Sequence, residues 1–358
     1  MSIAYFVSPH GFGHAARAAA VMEAVSKIRS DVSFELFTTV PDWFFSQSLS
    51  SSFAVRQVVS DIGLVQVDPL REDLEETVQL LERFWSTLPE TAESIVAEWG
   101  DALPEAVVSD ISPLGLEVAR LAGLRSILIE NFTWDWIYSA YRDRSPALAR
   151  FGDLYAELAS TASTHVQCEP ACRAVSEAVT VKPVSREARS STAETRRALG
   201  LDEGDDRPFI LLTMGGLGWR GEGPTDDDAR VIVTLGGCDR LERSAGVVRL
   251  PNRSPVYPPD LMRAADAVVG KLGYSTVAEC YRAGTRLGFV RRPGFPESPI
   301  LEAFVKERLP AVEMEIAPGA GPDRWRTDLE RLLALPSGPA VAENGATEIA
   351  RLLTRPES

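Results

Sequence analysis

The chain has 358 residues, is 45% hydrophobic and 25% charged, and carries a formal net charge of −14. This is the composition of a globular protein rather than a disordered one, and the length sets an expectation of two domains. The acidic balance argues against a general nucleic-acid binder, which presents a basic face, and no apolar run reaches membrane-spanning length.

Residues 3–7 form an apolar run that predicts a buried first strand, and residues 15–28 predict the first helix. Residues 1–7 lack the charged flank, apolar segment and cleavage site of a secretory signal. Between strand and helix lies Pro9-His10-Gly11-Phe12-Gly13-His14, which holds two of the chain's three histidines. A glycine turn there offers backbone N–H groups at a helix N-terminus, where anions and closely approaching ligands bind. Histidine is suited to moving protons near neutral pH.

Further strands are predicted at 32–38, 53–58, 106–109, 126–129 and 164–167, with helices between them, including 116–121. Apolar strands alternating with helices predict a parallel sheet covered on both faces. Residues 74–99 read as long, amphipathic and helical, with Pro89 expected to break or bend the helix. Asp110, Asn131 and Asp135 lie at strand ends beside large aromatics, which suits contact with a polyol. The competing reading is a Thr133 helix cap beside core tryptophans, Trp136 among them. His165, on an apolar strand, reads as a core histidine. The cysteines Cys168, Cys172, Cys238 and Cys280 match no zinc spacing, so buried, reduced thiols and no metal are expected, and with them a cytoplasmic location.

A charged stretch at 185–197 and a turn-rich one at 198–206 precede a new strand at 209–213. The boundary falls there, giving domains at 1–190 and 191–338 and a terminal segment at 339–358. The second half repeats the alternation, with strands at 231–235, 246–250, 267–269 and 287–290. Its helices are expected at 260–264, 275–283, 300–307 and 323–333, followed by a last one at 341–353. The predicted class is α/β: two facing, doubly wound Rossmann-like domains with a cleft between them and ligands at strand carboxyl ends.

Gly215 and Gly216 follow the strand at 209–213, where backbone can approach a phosphate without Cβ interference. Lys271, Gly273, Tyr274, Ser275 and Thr276 read as a strand-to-helix turn. It has a cation, a tight-turn glycine and a Ser275 or Thr276 cap able to meet an anion. Glu279, one turn further, can accept two ribose hydroxyls or lie on a solvated face. Glu297, in a proline-stiffened loop, can reach sugar hydroxyls or simply start the next helix.

Four motifs in this order, His10-Gly11-Phe12-Gly13-His14-Ala15-Ala16-Arg17, Asn131-Phe132-Thr133-Trp134-Asp135, Gly270-Lys271-Leu272-Gly273-Tyr274-Ser275-Thr276, and Arg291-Arg292 with Glu297 and Pro299, resemble the GT-B glycosyltransferases. The likeness is to the glycosyltransferase-like domain at the N-terminus of plant L-arabinokinases. Residues 273–279 are also similar to the nucleotide-sugar turn of the bacterial peptidoglycan N-acetylglucosaminyltransferase. The resemblance implies a hexosyl or N-acetylhexosaminyl transferase that uses a nucleotide-diphosphate sugar, expected to be UDP-linked, without metal or further cofactor.

On that resemblance His14 is the general base. His10, Gly11, Gly13, Arg17, Asp110, Asn131 and Asp135 face a small-molecule or glycan acceptor. Gly215, Gly216, Lys271, Gly273, Tyr274, Ser275, Thr276, Glu279 and Glu297 face the donor, and the last helix crosses back to the first domain. The chain departs from the pattern at 219–228, a glycine-, proline- and acid-rich stretch in which the expected donor-domain helix reads as shortened or missing. Asp226, Asp227 and Asp228 in it would repel a diphosphate that they faced. No segment matches a sugar-kinase phosphate loop. The rival reading is therefore a catalytically inactive nucleotide- or sugar-binding module of the same fold. An epimerase of UDP-N-acetylglucosamine is less well supported, since only Glu297, Asp110 and Asp135 offer acids for it. Oligomeric state is not legible in the sequence.

Overall fold

A computed structural model describes residues 1–68, 71–201, 204–214, 229–244, 246–315 and 322–355. The chain divides into two compact units, Met1–Val184 with Asn344–Ser358, and Ser185–Glu343. The first unit opens with β1 (Ser2–Val7), α1 (Phe12–Ile28), β2 (Ser33–Thr38), α2 (Asp42–Ser48) and β3 (Ser52–Gln57). A small hairpin, β4 (Gln66–Asp68) and β5 (Arg71–Glu72), leads to α3 (Leu74–Trp99), β6 (Ala106–Asp110), α4 (Pro113–Ala122) and β7 (Ser126–Glu130). Then come α5 (Trp134–Ser139), α6 (Ala147–Ala159), β8 (Thr164–Cys168) and β9 (Val179–Val181).

The second unit runs α7 (Thr192–Ala198), β10 (Phe209–Thr213), β11 (Val231–Leu235), β12 (Glu242–Ser244), β13 (Val247–Leu250), α8 (Pro258–Ala264) and β14 (Ala267–Lys271). It continues with α9 (Tyr274–Ala283), β15 (Arg286–Val290), α10 (Ser298–Arg308), β16 (Ala311–Glu313) and α11 (Pro322–Ala334). The chain then returns to the first unit as α12 (Gly345–Leu353).

Each unit is built on one seven-stranded sheet, ordered β3-β2-β1-β6-β7-β8-β9 and β12-β13-β11-β10-β14-β15-β16. Within these two sheets, every ladder among the described residues is parallel except β12–β13, an antiparallel edge. Both sheets reverse their winding beside a central strand. β1 pairs with β2 on one side and β6 on the other, and β10 likewise with β11 and β14. Crevices at such reversals, outside the strand carboxyl ends, are where doubly wound sheets hold ligands.

β1, β6, β7 and β10 are buried along nearly their whole length, as two-sided burial of apolar runs requires. On one face of the first sheet lie α1 and α12, whose Ala346, Ile349, Ala350 and Leu353 join the core around Ala16, Val21 and Ile127. On the other face α3 contributes Phe84, Leu88, Ala92, Ile95 and Trp99. Pro89 does not interrupt α3, contrary to the sequence expectation. It sits on the exposed face, while the buried residues continue past it at helical spacing and hold the helix in line. No helix among the described residues is long and apolar enough to cross a membrane.

Candidate active site

The turn after β1 meets the end of β6 at the first reversal point. Gly11 adopts φ 75° as the N-cap of α1, a left-handed conformation that glycine takes without Cβ strain. The helix starts at Phe12, so Gly13 and His14 belong to its first turn, earlier than the sequence suggests. One turn later Arg17 lies on the same face as His14.

Both reach Asp110, the last residue of β6, whose side chain is wholly buried. His14 Nδ1 lies 2.7 Å from Asp110 Oδ1. Arg17 donates Nε to Oδ2 at 2.8 Å and Nη2 to Oδ1 at 2.6 Å. Arg17 Nη1 also donates to Asn131 Oδ1. The Asn131 amide donates in turn to the Cys168 carbonyl at 2.7 Å, which fixes its orientation.

Burial would raise the pKa of Asp110, but the charge and hydrogen bonds of Arg17, with His14, hold it below the ordinary value. The carboxylate is therefore ionised and can only accept, so His14 Nδ1 carries the proton donated to it. That leaves Nε2 as the basic nitrogen. Burial lowers the pKa of His14, Arg17 adds to the effect, and Asp110 opposes it. The result is a neutral imidazole at neutral pH with a fixed tautomer.

His10 is placed beside this network by another set of contacts. Its ring stands edge-on to Trp134 at 5.4 Å, and its Nε2 lies 3.2 Å from Gln66 Nε2. Of the two tryptophans here, Trp134 and not Trp136 is buried in the core, at 2% exposure. Its indole N–H donates to Asp61 Oδ2 at 2.6 Å. Asp61 also accepts from the Ile62 amide at 2.7 Å. Burial pushes Asp61 up to about 7, against hydrogen bonds from Ser8, Trp134, Ile62 and Gly63.

Sequence reasoning passed over Asp61, although an acid shortly after the strand at 53–58 was the same signal that singled out Asp110. Asp135 stands apart from the His14 network and pairs with Arg173 at 2.9 Å. Thr133 is the N-cap of α5 but makes no side-chain cap bond. His165 is partly exposed and lies 2.9 Å from Glu130 Oε1.

At the second reversal point, Gly270 in β14 lies hard against β10. A Cβ there would fall 2.2 Å from the Thr213 carbonyl oxygen. Gly273 is the N-cap of α9, with no side-chain cap bond, so Ser275 and Thr276 lie within the first turn rather than capping it. The amides of that turn have no acceptor within the helix. Lys271 ends β14 and is lowered to about 8 by burial and then by the charge of Arg292, with Glu297 opposing.

Thr276 and Glu279 are buried. Glu279 is not on a solvated face: its Oε1 accepts from Arg186 Nε at 2.9 Å, and Arg186 packs over Tyr257 at 5.5 Å. Burial raises Glu279 against the opposing charge of Arg186. Glu297 is the N-cap residue of α10, with Oε1 3.3 Å from Arg292 Nη1. Gly215, Gly216 and the stretch 219–228 lie outside the described residues. Among the described residues, no three His, Cys, Asp or Glu side chains gather as a metal site.

No protein-family model matches the chain. It is 30% identical over 347 residues to L-arabinokinase from Arabidopsis thaliana, an alignment covering 93% of this chain and 32% of that protein. The chain thus spans about a third of the length of the curated relative it matches. Among solved structures, the spinosyn rhamnosyltransferase SpnG aligns with a TM-score of 0.60 at 12% identity, covering 99% of this chain and 100% of that one. The glycosyltransferase VinC, in complex with dTDP, aligns with a TM-score of 0.57 at 17% identity, covering 99% and 94%. MurG from Acinetobacter baumannii aligns with a TM-score of 0.53 at 15% identity, covering 98% of each. Likeness at such identities is likeness of architecture, and with two doubly wound parallel sheets the chain has the GT-B fold of these glycosyltransferases.

Proposed function

We propose that the chain is a glycosyltransferase that moves a sugar from a nucleotide-diphosphate donor, UDP-linked in the simplest case, to a hydroxyl of a small-molecule or glycan acceptor. The observation that carries this reading is the His14–Asp110 pair at a strand-end reversal of a GT-B fold. A neutral imidazole fixed through Nδ1 by a buried carboxylate is built to take a proton at Nε2. In the proposed reaction Nε2 accepts the acceptor hydroxyl proton as that oxygen bonds to the anomeric carbon. The bond from the anomeric carbon to the diphosphate oxygen breaks, and the diphosphate leaves with the electron pair. The configuration at that carbon inverts.

On this reading the first unit takes the acceptor through His10, Gly11, Gly13, Arg17, Asn131 and Asp135. The second takes the donor through Lys271, the α9 first turn from Gly273 to Thr276, Glu279 and Glu297. Charge on the leaving diphosphate is met by α9 amides and Lys271, so no metal is required. The Glu279–Arg186 pair presents a carboxylate with one oxygen engaged, and a ribose would share it. VinC, solved with dTDP, supports a nucleotide diphosphate as the ligand class.

The test is transfer from UDP-, dTDP- and GDP-sugars across an acceptor panel, with and without EDTA. Transfer is expected, unaffected by chelation. His14→Ala should lower it by on the order of 10²–10⁴ while UDP binding persists. Binding without transfer or donor hydrolysis in the native protein would instead favour a binding module.

A further inference from the structure

Arg17 is 7% exposed, and each of its three guanidinium nitrogens is engaged inside the first unit. Nε and Nη2 fork onto the two oxygens of Asp110, a bidentate geometry that a planar guanidinium matches and an ammonium does not. Nη1 donates to Asn131, itself buried. The Asn131 amide nitrogen is spent on the Cys168 carbonyl at 2.7 Å and the Pro170 carbonyl at 3.4 Å. A chain of bonds thus runs from the last residue of β8, through Asn131 and Arg17, to Asp110 and His14.

Arg17 Nη2 also lies 3.2 Å from His14 Nδ1. With Nδ1 protonated, these are two donors converging on Asp110 Oδ1, at 2.6 and 2.7 Å. Arginine is always charged, so Asp110 has its counter-ion before the imidazole gains a second proton. A bare carboxylate draws a proton onto a neighbouring histidine; one already paired with a guanidinium does so less. The charged groups acting on His14 among the described residues are Asp110 and Arg17, and Phe132 stands edge-on to its ring at 5.9 Å. Tyr5 of β1 and Cys168 of β8 also act on Arg17. Burial keeps both neutral, pushing Cys168 up to about 12 and Tyr5 well above its ordinary value. Glu130 and Glu348 act on Cys168 in turn.

We propose that Arg17 is a positioning residue for the base: its fork holds Asp110 against His14 Nδ1 and balances the carboxylate charge, so that Nε2 stays unprotonated until the acceptor hydroxyl gives up its proton. This rests on the reading of His14 as the base. Asn131 keeps the fork in line. Both residues serve the acceptor through His14, without touching it. A change at either is therefore felt in the proton-transfer step rather than in acceptor binding.

The experiment follows the histidines of the full chain by nuclear magnetic resonance from pH 4 to 9, with isotope-labelled imidazole nitrogens and His14→Ala to assign the His14 signals. Transfer kinetics are measured alongside. In the parent, His14 is expected to be neutral at pH 7 with its proton on Nδ1. Arg17→Gln removes both charge and fork. It is expected to raise the His14 midpoint by roughly one pH unit or more, and to carry the acid limb of kcat upward with it at unchanged acceptor KM. Arg17→Lys keeps the charge but loses the fork. Its midpoint should stay close to the parent's while kcat falls about tenfold at unchanged acceptor KM, and this variant decides the case in which Arg17→Gln does not fold. An Arg17→Gln protein with a native melting curve and an unmoved midpoint overturns the proposal. So does a raised acceptor KM at unchanged kcat in either variant, the mark of direct contact. If the midpoint moves but the parent transfers no sugar, the coupling of Arg17 to His14 stands and the glycosyltransferase reading falls. If the parent transfers sugar and the midpoint does not move, that reading stands and the positioning role falls.

Discussion

Asp110 accepts from Arg17 twice and from His14 once while shielded from water, so its charge is compensated from both sides. Asp110→Asn removes that compensation and leaves the Arg17 guanidinium buried beside a neutral amide. Stability should fall by roughly 3–5 kcal/mol in urea denaturation. Transfer should fall further than stability explains, because the asparagine no longer dictates the imidazole tautomer. In the proposed reaction, the depressed pKa of His14 is expected to place the acid limb of the transfer rate below the ordinary histidine value of about 6.5, with a plateau above it. The unfolded chain protonates His14 more readily than the folded one, so its contribution to stability is lost as pH falls below about 6.5. Asp61 has the opposite sign. Its folded value of about 7 exceeds that of an unfolded aspartate, so its contribution is full in acid and declines as pH rises towards 7. Removing Asp61 in an Asp61→Ala variant should flatten the second dependence in melting curves taken from pH 4 to 8, leaving the His14 limb intact.

Strands and helices were legible where pattern was long. Apolar runs such as that of β1 and β10, and the stripe along α3, declare themselves because burial on one or two faces demands a fixed period. The edge strands β9, β12 and β16, three residues each, carry too little pattern to read. Helix starts were misplaced for a related reason. α9 is capped by a glycine through backbone geometry, so the hydroxyls of Ser275 and Thr276 gave a false cue. Of the site, His14, Arg17, Asp110 and Asn131 could each be picked out, but not that they bond to one another. The partners are 93 to 114 residues apart, and only the sheet register brings them together. Asp61 with Trp134, and Arg186 with Glu279, are hidden by the same separation. One close approach does yield an element-level prediction. Gly270→Ala would drive a Cβ into the Thr213 carbonyl and part β14 from β10. A loss of about 1–3 kcal/mol is expected by thermal unfolding, with weaker nucleotide binding because the turn after β14 shifts.

At the scale of the whole chain, the first unit is assembled from two distant segments. Gly345 lies so near Lys182 that a Cβ would fall 2.0 Å from its carbonyl oxygen, and Asn344 caps α12 by accepting from the Ala346 amide at 3.1 Å. Arg125 donates to the Leu352 carbonyl at 3.0 Å, and Leu353 is 1% exposed in the core beside α1. Leu353→Ala should cost roughly 2–5 kcal/mol, read as a lowered denaturation midpoint of the first unit. Ending the chain at residue 343 should leave the apolar flank of α1 bare and the protein prone to aggregate. The order of synthesis gives this arrangement a further meaning. A ribosome exposes every strand of the first sheet early, yet the segment that seals it emerges only after the entire second unit. The nascent protein must therefore carry an open seam while the second unit is being made, a window in which a chaperone would find it.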